Sequence, residues 1–304
     1  MTPTILNQTS PKQIKLKIGD YEIAAIPTGL FGLDGGAMFG TVPKVLWQKT
    51  NPADEHNRIQ MEARALLLKS KTRNILIDTG NGSDFVAKYG EKLGNKFAEI
   101  YAVDQKGPSL LSSLKKNGLT PDDITDVILT HLHFDHAGGA TTERHGKLVP
   151  TFPNAKYHLQ RKNLETAQQA NLREKSSYYP ANFQPLLDSN QLQLIDGDQK
   201  NYLPGISLQV SNGHTVGHQV VTVEDEQTAL FYCGDVVPTS SHVRSAWVMG
   251  YDLNPLLLIE EKQKLLEKAQ LKKSYLFFEH DPYCDMATVE KHNNDFAVKE
   301  RFLL

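Results

Sequence analysis

Within six residues, His131-Leu132-His133-Phe134-Asp135-His136, the chain carries three imidazoles and a carboxylate. Imidazole nitrogen and carboxylate oxygen together suit zinc and similar divalent ions. In an extended or turning segment alternate residues project to one side, so His131 and His133 can grip one ion. Asp135 and His136, just past the turn, can face a second, while Leu132 and Phe134 point away and anchor the loop. Surface histidines in a polar loop are the ordinary alternative. Four ligand-type residues directly after the apolar run "DVILT" argue against it.

Three more positions gain meaning beside that cluster. His214 lies in the glycine-flanked "SNGHTVGH", Asp235 ends "ALFYCGD" and His280 ends "YLFFEH". Each alone is an ordinary loop residue or strand end. All three stand where an apolar strand meets a loop, the usual place for an α/β active site. Five histidines and two aspartates suit two metal ions with one carboxylate shared and a bridging position open. Two such ions lower the pKa of a water until hydroxide exists near neutrality. Asp235 and Asp135 are the candidate catalytic carboxylates, able to accept and return a proton.

The elements that position these residues alternate between strands and helices. "IKLKI", "YEIAAIPTG", "RALLLKS", "NILIDTG" and "ITDVILT" read as strands, and "SLLSSLKKNG" as a short helix ended by Gly118. Arg161 to Lys175 reads as a polar, exposed helix. Strands resume at "LQLID", "ISLQVS", "QVVTVE" and "TALFYCGD". Asn254-Pro255 opens a helix through Lys273 with Leu258, Leu265, Leu266 and Ala269 on one face. "SYLFFEHD" is then expected to be the last buried strand. No linker or repeat divides the chain, so residues 1–304 are expected to form one domain.

Composition narrows the partners. With 304 residues, 39% hydrophobic and 22% charged, the chain has length enough for a sizeable core. A formal net charge of −2 offers no electrostatic case for nucleic acid or an anionic membrane. Two distant cysteines, Cys233 and Cys284, make no disulfide framework and fit a reducing, cytoplasmic setting. The start "MTPTILNQTSPKQ" shows no export signal, although a trimmed one would leave the same sequence. No apolar run reaches transmembrane length.

The ordered set "LIDTG … THLHFDH … GHTVGH … CGD … EHD", spanning residues 75 to 281, resembles the metallo-β-lactamase superfamily. The resemblance implies a four-layer αβ/βα sandwich with a dimetal site at one edge between two sheets. It implies that His131, His133 and His214 hold one ion, that Asp135, His136 and His280 hold the other, and that Asp235 bridges them. The ions would be zinc, or else manganese, iron or cobalt. Asp78 would support the ligands without binding metal, and His218 would supply a supporting hydrogen bond.

Longer stretches, Asp34 to Trp47, His131 to Gly139, Asp235 to His242 and Trp247 to Pro255, resemble quorum-quenching lactonases of the YtnP type. The implied activity is opening of N-acyl-homoserine lactones by attack of a hydroxide held between the metals. Methyl-parathion-hydrolase-like enzymes are a weaker resemblance, so an esterase or phosphotriesterase is the alternative, and a non-catalytic ligand sensor a third. One departure stands out: Pro238 occupies the place of a tyrosine that helps hold the lactone carbonyl in N-acyl-homoserine lactonases.

That leaves "GLFGLDGGAMFGTVPKVLW", residues 29 to 47, glycine-rich yet greasy. It lacks the Gly-Lys-Ser/Thr ending of a phosphate loop. Beside a dimetal site it reads as a wall or lid, with Met38 and Phe39 touching an acyl chain and His242 as a further candidate substrate contact. Trp47 suits either the core or a dimer interface, and the apolar stretch suits a homodimer. Tyr251 and Asp252 read as fixing a turn before the Asn254-Pro255 helix. Tyr178 and Tyr179 read as a packed loop.

Overall fold

A computed structural model of the chain describes residues 10–304. The reading of the N-terminus as free of an export signal rests largely on residues 1–9, outside the described residues.

Two sheets carry the fold. The first runs, in spatial order, Leu192–Ile195, Lys156–Gln160, Asp126–Ile128, Asn74–Ile77, Arg58–Lys69, Tyr21–Asp34 and Leu16–Ile18. The second runs Lys12–Gln13, Asp295–Leu303, Met286–His292, Lys273–Phe277, Thr228–Tyr232, His218–Glu224, Ile206–Ser211 and Gln199–Leu203. Each sheet has parallel strands at or near its middle. Asn74–Ile77, Asp126–Ile128 and Lys156–Gln160 pair in parallel in the first, and Thr228–Tyr232 with Lys273–Phe277 in the second.

Period-two alternation assigns the layers. On Arg58–Lys69, Leu66 and Leu68 face the second sheet, while Ala65 and Leu67 face the outer helices. Across the gap, Leu230, Tyr232, Tyr275 and Phe277 meet them, and Ala229, Phe231 and Leu276 turn outward. Leu110, Leu114 and Leu164, from the helices Leu110–Lys116 and Arg161–Gln168, cover the first sheet. Leu258, Leu265, Leu266 and Ala269 of Pro255–Ala269 cover the second. The result is helix, sheet, sheet, helix, the expected αβ/βα sandwich. Among the described residues, no helix is long and apolar enough to cross a membrane.

Four expectations change. The helix opened by Asn254-Pro255 ends at Ala269, and Lys273 begins the next strand. "SYLFFEHD" is not the last strand: Met286–His292 and Asp295–Leu303 follow it and pair with each other at the sheet's end. Their charged outer positions hide the strand pattern. The polar helix from Arg161 ends at Gln168, not Lys175. The stretch from Gly29 to Trp47, read as a wall or lid, is built of regular elements. Tyr21–Asp34 is a strand, Gly35–Phe39 a helix whose Asp34 caps the Ala37 N–H, and Lys44–Trp47 another short helix. The glycines serve close packing. A Cβ on Gly35 would lie 2.4 Å from the Trp47 ring, and one on Gly40 2.9 Å from the Val248 carbonyl.

Candidate metal centre and its cleft

Each stretch of the motif set follows the end of a strand. Asp78 follows Asn74–Ile77 in a left-handed conformation (φ 58°). Its two oxygens accept from the Thr130 N–H and Oγ1–H, both at 2.7 Å. That pair of bonds ties the loop of His131 and His133 to the neighbouring strand. His133 precedes the one-turn helix Phe134–Ala137, which turns Asp135 and His136 back toward it. Leu132 packs in the core as expected; Phe134 packs on Phe97 and Tyr101 but also reaches the cleft wall. Gly234 (φ 50°) makes the turn that presents Asp235. A Cβ there would sit 2.4 Å from His218 Nε2, which accepts from the Asp235 N–H at 3.1 Å. His218 is thus the supporting partner expected.

All seven predicted side chains meet, and all are buried. One ligand-type atom from each of His131, His133, His214 and Asp235 lies within 4.8 Å of the others, and so do those of Asp135, His136 and His280. Asp235 lies between the sets: Oδ2 is 3.1 Å from His214 Nε2 and 3.5 Å from His136 Nε2, and Oδ1 is 3.3 Å from His280 Nε2.

Outward hydrogen bonds aim the inward nitrogens. His214 Nδ1 donates to Asp252 Oδ1 (2.9 Å), His280 Nδ1 to the Glu62 carbonyl (2.9 Å), and His136 Nδ1 lies 2.8 Å from Glu279 Oε2. His131 Nδ1 donates to Thr130 Oγ1 (3.0 Å), whose own proton goes to Asp78. The inward atoms then confront one another, His214 Nε2 against His133 Nδ1 and His136 Nε2 against His280 Nε2, each at 3.2 Å. Ligands about 2.0–2.1 Å from a tetrahedral zinc would be about 3.3 Å apart. His131 Nε2 and Asp235 Oδ1 are buried with no hydrogen-bond partner among the described residues. Orphaned buried donor atoms of these types, converging at this spacing, fit divalent ions.

Electrostatics point the same way. Burial works against charge on His136, yet Glu279 and Asp235 hold it well above the ordinary histidine range. His214 is raised to about 10 and His280 to about 9, in each case against burial and chiefly by the Asp235 carboxylate. His131 is pushed well below the usual value by burial and by neighbouring imidazoles. Asp235 is depressed despite burial because His214 and His136 face it. Such a nest of carboxylate charge takes up protons when no cation is there to meet it.

Sequence reasoning missed three carboxylates. Asp252, read as a turn residue, holds His214. Glu279, fully buried and raised to about 8 mainly by desolvation, backs His136 and accepts from Tyr232 OH at 2.7 Å. Glu174, assigned to an exposed helix, is 4% exposed, and its Oε2 lies 3.8 Å from His133 Nε2. Only Glu279 had a local signal, an acid inside "LFFEHD". The other two reach the site from segments distant in sequence.

The centre opens into a cavity of about 240 Å³. Asp135, Asp235, His133, His214 and His280 line it, with Leu33, Met38, Phe134 and Met249 as apolar wall and Tyr101, Tyr251, Arg173 and Ser177 among the rest.

The sequence profile of the metallo-beta-lactamase superfamily matches residues 62–280, which include all seven converging side chains. The chain belongs to that superfamily. It is a metal-dependent hydrolase acting on ester bonds. An N-acyl homoserine lactonase of Bacillus thuringiensis is 30% identical over 224 residues, 71% of this chain and 79% of that protein. A probable metal-dependent hydrolase from Staphylococcus aureus superposes with a TM-score of 0.83 at 32% identity, covering 95% of this chain and 99% of that one. An N-acyl homoserine lactone hydrolase, with the product N-hexanoyl-L-homoserine bound at its catalytic metal center, gives 0.64 at 25% identity, with 90% and 95% covered.

In this hydrolase, the three expected substrate contacts separate. Met38 stands on the cavity wall. Phe39 does not: it is fully buried behind Met38, stacked on Trp47 (5.4 Å) and His242 (4.7 Å). Nor does His242, whose ring is spent on structure, with Nδ1 accepting from Thr239 and Nε2 donating to the Met38 carbonyl at 2.9 Å. Trp47 is core, at 1% exposure. Only Val45 and Leu46 of its helix are exposed apolar residues there, so any homodimer contact at this stretch falls to them.

Proposed function

We propose that this hydrolase opens lactone rings, with N-acyl-homoserine lactones as the substrate class. The observation that carries the reading is the pairing of a two-part, Asp235-centred cluster with an apolar cavity wall beside it. His131, His133 and His214 would hold one ion, Asp135, His136 and His280 the other, with Asp235 between. Divalent ions there would activate water at neutral pH and polarise the ester carbonyl.

The chain's own groups supply the rest. Leu33, Met38, Phe134 and Met249 would take the acyl chain, orienting the ring toward the carboxylates. Asp235 stays ionised among its imidazoles, and both it and Asp135 face the cavity. They are placed to accept the proton of the attacking water and return it to the ring oxygen as the C–O bond breaks. The resemblance of the chain to lactone hydrolases supports the substrate class.

The test is a panel of N-acyl lactones, aryl esters and phosphotriesters, assayed with zinc-loaded and chelated protein. The expected result is the highest kcat/KM on acylated lactones and none after chelation. Faster phosphotriester turnover would assign the alternative activity. No turnover of any class by loaded protein would leave a sensor.

A further inference from the structure

One half of the centre depends on a joint between the two sheets that no motif announces. His280 follows Lys273–Phe277 of the second sheet, yet it must meet Asp135 and His136 from the first. Strand Arg58–Lys69 of the first sheet makes the connection. The Glu62 N–H donates to the His280 carbonyl at 3.3 Å, and the Glu62 carbonyl accepts from His280 Nδ1 at 2.9 Å.

Two residues along, on the same face of the strand, is Arg64, 3% exposed. Its Nη1 donates to the carbonyls of Phe278 (2.9 Å) and Asp281 (3.0 Å), on either side of His280. Its Nε lies 3.0 Å from Asp285 Oδ1, and Nη2 pairs with Glu62 Oε2. The Tyr232 hydroxyl, which donates to Glu279 behind His136, also packs 3.0 Å from the Arg64 carbonyl. A buried guanidinium is tolerated only when paired, and this one is paired with both carboxylates while bracketing a ligand loop. The rigid fork matters, because a lysine ammonium is a point charge that cannot reach both carbonyls and both acids in one plane.

The other half is built differently. His131 and His133 share one loop and His214 is fixed by Asp252, while the Arg64 guanidinium is bonded to Phe278, Asp281, Glu62 and Asp285 and to none of these three. We propose that Arg64 is a positioning residue for the Asp135–His136–His280 half alone, so that the two ions depend unequally on it. This rests on the reading that the seven side chains hold two ions.

The experiment is equilibrium dialysis of chelator-stripped wild type and Arg64→Lys against fixed free zinc, with zinc per chain counted and fold followed by circular dichroism. Wild type should take up two ions. Arg64→Lys should stay folded and keep one, with the second bound roughly 10–100-fold more weakly, the range for lost supporting contacts. Should Arg64→Lys not fold, Asp285→Asn loosens the same clamp and should weaken the second ion while sparing the first. Two ions at wild-type affinity in the variant, or loss of both together, would overturn the assignment. Fewer than two ions in the wild type would instead overturn the two-ion reading beneath it.

Discussion

Replacing Phe39 by alanine separates a substrate contact from a core support. Phe39 is fully buried, with ring centroids 5.4 Å from Trp47, 4.7 Å from His242 and 5.6 Å from Trp247. Truncating a buried phenylalanine costs about 3–5 kcal/mol, and each lost aromatic pair adds about 0.5–1.5 kcal/mol within or beyond that range. Total stability is typically about 5–15 kcal/mol, so the loss is a large fraction of it. At roughly 2 °C per kcal/mol for a chain this long, melting should fall by roughly 6–10 °C. The stack also holds His242, which holds the Met38 carbonyl, so the cavity wall loosens and turnover falls on short and long lactones together. Scanning calorimetry beside kcat/KM across an acyl series reads both effects. A Phe39→Ala protein that melts like wild type but changes chain-length preference would show instead that Phe39 reaches the substrate and is no core support. Met38→Ala is the contrast, since Met38 faces the cavity and its loss should shift preference toward longer chains.

Two further tests read the supports of the site and the fold. Asp252→Ala removes the acceptor of His214 Nδ1 and should weaken one zinc roughly 10–100-fold in competition with a chelator, whereas unchanged affinity would mean that bond is idle. Asp126 begins the strand whose far end leads into the His131 loop; burial opposes its charge, but hydrogen bonds from His158, Thr125 and Arg73 outweigh that and lower its pKa from 3.8 to about 2. A carboxyl depressed in the folded state stabilises above its unfolded pKa and loses that contribution as pH falls from about 4 toward 2. The shift corresponds to about 2 kcal/mol at most, and screening at the part-exposed Arg73 pair reduces it to about 1 kcal/mol, so urea midpoints of wild type and Asp126→Asn should differ at pH 6 and converge near pH 2.

The sequence by itself marked the ligand-type residues and most of the strands that carry them, while the layering was implied by the superfamily resemblance of its motifs. Ligand types at fixed spacing after apolar strands needed no coordinates, because strand alternation and strand-end placement are local properties. The helix face of Leu258, Leu265, Leu266 and Ala269 was legible for the same reason. What only tertiary structure decided was everything that crosses between segments. Whether Phe39 faces a cavity or Trp47 follows from how the turn after Asp34 packs, which composition does not specify. Asp252 and Glu174 act on His214 and His133 from 38 and 41 residues away, and Arg64 on the His280 loop from 214. A carboxylate's role depends on what it faces once the sheets close, and spacing along the chain carries no record of that.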